Sequence, residues 1–221
     1  MKESVKYGAE LVSDEIFPVG IIKRRRLVRE YTQAIFIAVV LGLFIRMVVV
    51  QAFKIPSGSM IPTLLVGDYV LVNKLIYGIK IPFLDKSLVE VSEPKRGEVI
   101  VFKYPRDTSK HYIKRVIGLP GDRIQISNRR LLVNGRLAED SHAFHSSSEN
   151  RFESILDNFG PVTVPSHHLF VMGDNREASS DSRVWGFVPL SYVSGKVFLI
   201  YWSWDHRRLS VRWSRLGNLV D

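Results

Sequence analysis

A run of mostly apolar residues from Tyr31 to Phe53 constrains the fold of this chain more than any other feature. A segment of about 23 such residues is long enough to cross the hydrocarbon core of a bilayer as a helix. Arg46 is its single charge and lies in the last third, from which a long side chain can reach the far interface. The sequence therefore predicts one transmembrane helix over 31–53.

The charges that flank this segment predict its orientation. Five basic residues lie just before it, within 23–29, whereas the far flank offers only Lys54. Positive charge is retained on the cytoplasmic side of a membrane. We therefore expect residues 1–30 to form a cytoplasmic tail and residues 54–221 to form an extracytoplasmic domain.

A cleavable signal peptide is the competing interpretation of the same segment. Val50-Gln51-Ala52 places small residues at the spacing of a cleavage site. The apolar run is, however, longer than the apolar region of a signal peptide, and it begins about 30 residues into the chain. We therefore expect the segment to be retained as an anchor.

The composition limits the remaining classes of function. The 221 residues contain no cysteine, which excludes a disulfide scaffold and a Cys₄ zinc site. The net charge of +9 is compatible with nucleic-acid binding. The basic residues are spread along the chain, however, and their one tight run precedes the apolar segment. We expect no nucleic-acid partner.

Beyond residue 54 the pattern is typical of short β-strands separated by turn signals such as Asn134-Gly135. Alternating, β-branched stretches predict strands at 68–73, 97–103, 111–117, 123–127, 130–133, 193–202 and 209–213. The fold class is therefore predicted to be mainly β, an antiparallel barrel or sandwich-like domain with a smaller inserted β region over 123–170. Within that region, the polar stretch Glu139–Gly160 is interpreted as an exposed, mobile insertion.

The stretch Phe53–Thr63, FKIPSGSMIPT, closes the apolar segment with a turn signal. Its two prolines fix φ and remove amide donors, and Gly58 permits backbone angles that are closed to other residues. Such a rigid, exposed turn can hold a serine hydroxyl beside free backbone N–H groups, as an acyl-transfer site requires. Ser57 and Ser59 in isolation would equally suit an ordinary turn.

A serine nucleophile needs a base that accepts its proton, and Lys114 is the candidate. On a polar face it would be an ordinary solvated lysine, whereas burial among Ile and Val side chains would lower its pKa from about 10.4 by several units. A neutral amine could then deprotonate Ser59, which an arginine cannot do. The adjacent Arg115 would face the other way, as a salt-bridge partner. The six histidines lie in stretches unsuited to this task and are interpreted as structural: His111, His142, His145, His167, His168 and His206.

A third polar stretch, Met172–Gly186, carries too much charge for an ordinary core strand. Its carboxylates Asp174 and Asp181 and its arginines Arg176 and Arg183 could tie the loop down by charge-assisted hydrogen bonds. A calcium-binding loop is the alternative interpretation, but the arginines compete with a cation for the same carboxylates.

Three motifs occur in a fixed order behind the apolar segment: PSGSM at Pro56–Met60, YIKRVIGLPGD at Tyr112–Asp122 and GDNREASSDSR at Gly173–Arg183. Together they resemble the bacterial type I signal peptidases (leader peptidases), over roughly Tyr31–Gly217. The chain departs from that pattern at Glu177-Ala178, where Asp-Asn is more usual, at Lys54, where an uncharged polar residue is common, and in showing one membrane span where some members have two.

The resemblance implies a serine endopeptidase with Ser59 as nucleophile and Lys114 as general base. It implies that Ser57 contributes its hydroxyl to the oxyanion hole beside the backbone N–H of Ser59, and that Ser179 hydrogen-bonds and orients the lysine amine. The residues that it implies as structural support are Arg115 paired with Asp174, and Asp181 and Arg183 as braces of the loop.

The same resemblance implies the substrates and the location. Signal peptides of secretory preproteins would bind as an extended strand beside the serine turn and be cut after small residues, in the A-x-A pattern. The enzyme would need no cofactor or metal. It would lie in the bacterial cytoplasmic (inner) membrane with its N-terminus cytoplasmic and the lipid bilayer as a second partner. The side chains expected to line shallow apolar pockets for the substrate are Phe53, Ile55, Met60, Leu64 and Ile113.

Two other functions remain compatible with the sequence. The first is a membrane-tethered β-domain without enzymatic activity that binds extracytoplasmic peptides, in which Ser59 and Lys114 are incidental. The second is a related Ser-Lys protease that acts on another substrate, such as a regulatory membrane protein. Cleavage of an A-x-A preprotein distinguishes a signal peptidase from both.

Overall fold

The described part of the chain is a long helix followed by antiparallel β-sheets. A computed structural model describes residues 19–80, 87–89, 92–145 and 156–220. The chain divides into two units, Met1–Leu43 and Phe44–Asp221. Most of the predicted cytoplasmic tail, residues 1–18, lies outside the described residues, and so does the middle of the predicted insertion, residues 146–155.

Helix α1 runs from Val19 to Val48. The side chains of residues 27–43 are exposed along it, including those of large apolar residues such as Ile35 and Phe36. In the part of the chain that the structure describes, no helix combines the length and the apolar character that crossing a membrane requires.

The end of this helix differs from the prediction, which extended it to Phe53. The structure ends α1 at Val48 and places a strand, β1, at Val50–Lys54. Consecutive valines at 48–50 favour extended backbone, because branching at Cβ restricts the side chain in a helix. Phe53 of β1 lies opposite Val70 of the next strand, so its backbone hydrogen bonds are made within a sheet.

Strands account for most of the regular structure after the helix. In chain order the described strands are β1 (Val50–Lys54), β2 (Asp68–Asn73), β3 (Ile79–Lys80), β4 (Ser87–Val89), β5 (Val99–Tyr104), β6 (Asp107–Gly118), β7 (Arg123–Ser127), β8 (Arg130–Val133), β9 (Arg136–Leu137), β10 (Phe159–Thr163), β11 (His168–Met172), β12 (Val188–Pro189), β13 (Val193–Asp205) and β14 (Ser210–Val211). The short helix α2 (Ser182–Trp185) lies between β11 and β12. Two 3₁₀ turns follow, at Leu190–Tyr192 and Trp213–Arg215.

All pairs among the described strands are antiparallel, which confirms the mainly β, antiparallel part of the predicted fold class. The large sheet has the order β1-β2-β13-β5-β6-β11-β12, with β14 paired to β13. Among the described strands this order has two open ends, β1 and β12, so the predicted barrel is not closed. The long β13 bends through several register shifts, which lets one strand pair with β2, β5 and β14.

The predicted inserted region, 123–170, contains a separate small sheet with the order β10-β7-β8-β9. Its two hairpins follow from their turn residues. Asn128 and Arg129 both have positive φ, and so do Asn134 and Gly135, as a type I′ turn requires. β11, which closes the same predicted range, belongs to the large sheet instead.

The connection between β1 and β2 is closed at its base by backbone hydrogen bonds. Ile55 N donates to Asp68 O at 2.8 Å, and Gly67 N donates to Ile55 O at 3.0 Å. Gly67 has φ +93°, and a Cβ at this position would lie 2.2 Å from the Trp204 carbonyl oxygen. Only glycine can therefore turn the chain back into β2 at this point.

A buried carboxylate ties the same connection to the C-terminal segment. Asp68 is fully buried and accepts a hydrogen bond from Ser203 Oγ at 2.6 Å. Arg215 donates to Asp68 Oδ2 at 2.6 Å and to the Thr63 carbonyl at 2.8 Å. The loop between the first two strands is thus held at both its base and its far side.

Candidate active site

Ser59 lies on the turn between β1 and β2. The turn is closed by hydrogen bonds from Ile61 N to Gly58 O at 3.2 Å and from Leu64 N to Met60 O at 2.8 Å. The Ser59 side chain is directed inward, since the residue is only 9% exposed. The predicted exposed turn therefore carries an occluded hydroxyl.

Lys114 lies on β6, in the interior of the large sheet, opposite Ile100 of β5. The residue is 4% exposed, so it points inward and is not the solvated lysine of a polar face. Burial lowers the pKa of the Lys114 amine from 10.5 to about 8, an effect that the charges of Asp181 and Asp174 oppose and that of Arg183 reinforces. With this pKa about one-tenth of the amine is neutral at pH 7, against roughly 1 in 3,000 for an ordinary lysine.

The two side chains meet: Lys114 Nζ donates a hydrogen bond to Ser59 Oγ. When the amine is neutral, the same contact lets it accept the hydroxyl proton, which is the step that makes serine nucleophilic. No histidine side chain within the described part of the chain hydrogen-bonds Ser59. Instead His145 bonds Glu177, and His168 bonds the Ser166 carbonyl.

Arg115 occupies the opposite face of β6 and is also buried. It donates to Asp174 through Nε to Oδ1 at 2.8 Å and through its second terminal nitrogen to Oδ2 at 2.7 Å. Thr63 Oγ1 donates to the same carboxylate at 2.5 Å, and Arg115 also donates to the Gly97 carbonyl at 2.6 Å. The predicted pairing of Arg115 with Asp174 is present. Thr63 completes it, although nothing in its sequence context indicated that role.

Asp181 and Arg183 form a second buried pair. Arg183 Nε donates to Asp181 Oδ1 at 2.9 Å, and both side chains are almost inaccessible. Asp181 also caps helix α2 and accepts from Gly173 N at 3.1 Å, while Arg183 donates to the Arg176 carbonyl at 2.6 Å. The pair therefore links the two ends of the loop, as expected of braces.

Gly173 allows the loop to approach the nucleophile closely. A Cβ at this position would lie 2.4 Å from the Ser59 carbonyl oxygen and 2.3 Å from Ser179 Oγ. Ser179 is 4% exposed, and its hydroxyl has no hydrogen-bond partner among the described residues. The expected hydrogen bond between Ser179 and the Lys114 amine is therefore absent from this conformation, in which the amine bonds Ser59.

The sequence identified the loop Gly173–Arg183 but missed how its middle is held. Asn175 N donates to Ser59 O at 3.1 Å, and Asn175 Nδ2 donates to Gly58 O at 3.2 Å. Arg176, expected to bind carboxylates within its own loop, pairs with Asp140 of the inserted region. The sequence analysis named Arg176 but not Asn175, and the partners of both lie far away in sequence.

The remaining predicted residues border the site without contacting the Ser59 hydroxyl. Ser57 is exposed on the turn. The five predicted pocket residues share one apolar cluster, in which Ile55, Met60 and Leu64 are fully buried and Phe53 and Ile113 are partly exposed. Of the five, only Phe53 and Ile113 have side-chain surface that is accessible from outside the cluster.

Arginine side chains take the carboxylates that a calcium ion would need. Asp174 is bound by Arg115 and Asp181 by Arg183. Among the described residues, no cluster of three or more His, Cys, Asp or Glu side chains could hold a metal ion. The polar loop is thus bound by protein cations, and the calcium interpretation lacks free ligands.

Comparisons with known proteins agree with this chemistry. Residues 28–202 match the family model described as signal peptidase, peptidase S26. A signal peptidase I from Pseudomonas fluorescens is 38% identical in an alignment of 229 positions, gaps included, that covers 89% of this chain and 81% of the relative. A signal peptidase I from Aquifex aeolicus is 36% identical in an alignment of 228 positions, gaps included, that covers 79% of this chain and 84% of the relative.

Among solved structures, a signal peptidase I from Enterococcus faecalis is similar to part of the chain. It is 30% identical, covers 48% of this chain and 97% of its own, and superposes with a TM-score of 0.41. That score is too low to carry a conclusion about the fold.

Proposed function

The chain belongs to the peptidase S26 signal peptidase family and is a serine endopeptidase of the signal peptidase I type, and from this premise we propose that it removes signal peptides from exported preproteins with Ser59 as nucleophile and Lys114 as general base. The observation that carries the proposal is the buried contact between Lys114 Nζ and Ser59 Oγ. The enzymatic assignment leaves no place for the peptide-binding domain without activity.

The reaction begins with proton transfer from Ser59 Oγ to the neutral Lys114 amine. The oxygen then bonds to the scissile carbonyl carbon, and the carbonyl π electrons move to its oxygen. When this intermediate collapses, the C–N bond breaks and the Lys114 ammonium returns its proton to the departing amine. A water molecule, deprotonated by the same amine, hydrolyses the ester and releases the signal peptide.

Two groups are proposed to stabilise the oxyanion: the backbone N–H of Ser59 and the hydroxyl of Ser57. Ser57 is exposed on the turn, so its hydroxyl is free to rotate toward a bound carbonyl. We assign to Ser179 the orientation of the Lys114 amine. Support comes from its buried hydroxyl, which lacks a partner in this conformation and gains one if the amine turns from Ser59 during the reaction.

The substrate is proposed to bind as an extended strand along β1. This strand lies at one end of the order of described strands in the large sheet, immediately before the serine turn. A peptide added there makes backbone hydrogen bonds, and its alternate side chains face the sheet. Phe53 and Ile113 then contact the residues at −1 and −3, and the fully buried floor beneath them leaves room only for small side chains.

We further propose that the enzyme associates with the bacterial inner membrane through α1, with its catalytic domain on the extracytoplasmic side. The support is the stretch 27–43, whose apolar side chains are exposed and would be unfavourable in water. Extraction of membranes with alkaline carbonate separates integral from peripheral attachment. Protease digestion of intact and inverted vesicles reports the side on which residues 54–221 lie.

The proposal is tested by cleavage of a purified preprotein in detergent. Wild type is expected to release a signal peptide ending in A-x-A, and Ser59→Ala and Lys114→Ala are expected to release none. Lys110→Ala is the matched control, because Lys110 lies on the same strand but is exposed. If wild type cleaves a regulatory membrane protein and no preprotein, the enzyme is a Ser-Lys protease with another substrate.

A further inference from the structure

Asn175 connects the loop Gly173–Arg183 to the turn that carries the nucleophile. Its backbone N–H donates to Ser59 O at 3.1 Å, and its side-chain Nδ2 donates to Gly58 O at 3.2 Å. Asn175 is only 9% exposed, so water competes little for these two bonds. The two carbonyls that it holds lie directly before and directly after the Ser59 Cα.

The Gly58 carbonyl and the Ser59 N–H belong to the same planar peptide unit. This unit is trans, because the cis peptide bonds among the described residues are Ile61-Pro62 and Gly160-Pro161. In a trans unit the C=O and the N–H point in opposite directions. The bond from Asn175 to Gly58 O therefore directs the Ser59 N–H away from Asn175.

An external constraint is needed at this peptide unit because of the residue that precedes it. Glycine has no Cβ to restrict its ψ angle, so the plane between Gly58 and Ser59 can rotate more freely than most. In the proposed function the Ser59 N–H stabilises the oxyanion, and such a donor is effective when it is aligned before charge develops. Within the turn, Ile61 N donates to the Gly58 carbonyl at 3.2 Å, and Asn175 adds a second bond to the same oxygen from outside the turn. Asn175 thus reinforces the alignment that glycine alone does not give.

The segment that contains Asn175 is itself held on its other edge. Phe144 N donates to Asp174 O at 2.7 Å, and Arg176 N donates to Phe144 O at 3.0 Å. Asp174 and Arg176 thus bond Phe144, while Asn175 between them bonds Ser59. This alternation is that of an extended strand, so the three segments form a small ladder that ends at the nucleophile.

Asp140 holds the same ladder through a side chain. Arg176 donates to both oxygens of Asp140, with its second terminal nitrogen 2.7 Å from Oδ1. The Arg176 side chain is 5% exposed, and its Nε also donates to the Gly173 carbonyl at 3.1 Å. The beginning of the predicted insertion is mostly exposed, as its polarity indicated, but it is also bonded to the active-site loop.

We propose that Asn175 is a positioning residue that fixes the Gly58–Ser59 peptide with its N–H toward the oxyanion, and that Asp140 supports it through Arg176. The inference rests on the proposed function, because it assigns the orientation of a donor used in that reaction. It predicts that Asn175 affects the transition state and leaves binding of the substrate unchanged.

The test compares Asn175→Ala and Asn175→Asp with wild type on a preprotein. A carboxylate at 175 keeps the size of the side chain but presents an acceptor to the Gly58 carbonyl, so the peptide is expected to turn. Removing an oxyanion donor outright costs roughly 100- to 1,000-fold in kcat. We expect a loss of about 10- to 100-fold in kcat for both variants, with KM unchanged, because the donor is misaligned and not removed.

A second readout separates positioning from general damage to the fold. A peptide aldehyde with the A-x-A sequence accepts Ser59 Oγ at its carbonyl carbon and forms an oxyanion, so its affinity reports the oxyanion site. Its Ki is expected to rise by the same factor by which kcat falls. The buried carboxylate of Asn175→Asp is expected to lower the midpoint of thermal unfolding, so kcat and Ki are both measured at a temperature below the midpoint of each variant. If Asn175→Asp fails to fold, the Ala variant decides.

Asp140→Asn provides the weaker perturbation, and Asp157→Asn its matched control. Like Asp140, Asp157 lies in the inserted region and pairs with an arginine. Its partner is Arg129, and this pair lies at the surface. The first is expected to lower kcat by a few-fold and the second to leave it unchanged. Suppose that wild type cleaves the preprotein and binds the aldehyde, and that both Asn175 variants cleave and bind as well as wild type. The inference about Asn175 is then wrong, and the proposed function stands. A wild type that neither cleaves nor forms the adduct refutes the proposed function itself.

Discussion

Lys114 and Arg115 are neighbours on strand β6, on opposite faces of one sheet, and both are almost completely buried. Arg115 donates to both oxygens of Asp174, so its charge is neutralised where it lies. Lys114 meets a hydroxyl, that of Ser59, and burial lowers the pKa of its amine to about 8. Equal burial has thus produced a structural cation on one face and an amine that is easier to deprotonate on the other.

Two things separate them: a guanidinium does not lose its proton, whereas an amine can, and the two cations differ in their distance to a carboxylate. Asp174 contacts Arg115 directly, whereas Lys114 receives only the longer-range attraction of Asp181 and Asp174, which offsets part of the effect of burial. Asp181 is itself bound by Arg183 and so is held away from the amine. A buried cation keeps its proton when a carboxylate contacts it and becomes easy to deprotonate when none does.

The largest effect is expected from changing Lys114 while keeping the comparison intact. Lys114→Arg retains a buried cation that cannot lose its proton, and Lys114→Met retains the volume without a base. Both are expected to lower kcat by about 100- to 10,000-fold, the usual contribution of a general base. Single-turnover cleavage of a preprotein measures it, with Lys110→Arg on the same strand as control. Substantial activity in Lys114→Arg would show that a cation suffices and that the two faces do not differ as described.

Breaking the pair on the other face is expected to affect stability first. Arg115→Met or Asp174→Leu alone leaves an uncompensated buried charge, which costs about 3–5 kcal/mol in the free energy of unfolding. The double variant removes both charges and is expected to recover most of that loss, as measured by urea unfolding. If the single variants are as stable as wild type, Arg115 is not held in the way its bidentate geometry indicates.

The pH dependence of stability distinguishes the two cations in the wild-type protein. Below pH 8 the Lys114 amine is protonated in both the folded and the unfolded chain, so the full cost of burying its charge is present. Between about 8 and 10.5 the unfolded chain binds more protons, so the free energy of unfolding rises with pH, by up to about 3 kcal/mol. Lys114→Met lacks this contribution. The difference in the free energy of unfolding between wild type and Lys114→Met is expected to shrink toward high pH. Urea unfolding of both proteins across this pH range measures it.

The side chains of this comparison could be named from the sequence, since the motifs single out Ser59, Lys114, Arg115 and Asp174. Alternation along β6 also predicted that Lys114 and Arg115 face opposite ways. The pattern could not show that both side chains are covered, because that depends on segments distant in sequence: the serine turn brings Ser59 to Lys114, and the loop after β11 brings Asp174 to Arg115. An exposed lysine was the ordinary expectation for such a stretch, and burial of the strand reverses it.

The sequence did not predict contacts between distant segments when the residues that make them belong to no recognisable motif. Thr63 and Phe144 carry no signal, yet one bonds the Asp174 side chain and the other bonds its backbone. The start of β1 was misassigned because valines suit a membrane helix and a strand alike, and only the pairing with β2 decides between them. Local composition fixes neither the end of the helix nor the long-range partners of the loop.

The smallest effect sharpens the electrostatic part of the comparison. Asp181→Asn and Arg183→Met break the same ion pair, so they disturb the structure in a similar way. Asp181 raises the pKa of Lys114 and Arg183 lowers it, so removing the first charge should lower that pKa further and removing the second should raise it. The acid limb of kcat/KM, which reports the base of the free enzyme, is then expected to move to lower pH in Asp181→Asn and to higher pH in Arg183→Met. Burial is the larger cause of the pKa shift, so both displacements should be small beside it. Movement in the same direction in both variants would mean that rearrangement of the loop, and not charge, sets the proton affinity of the amine.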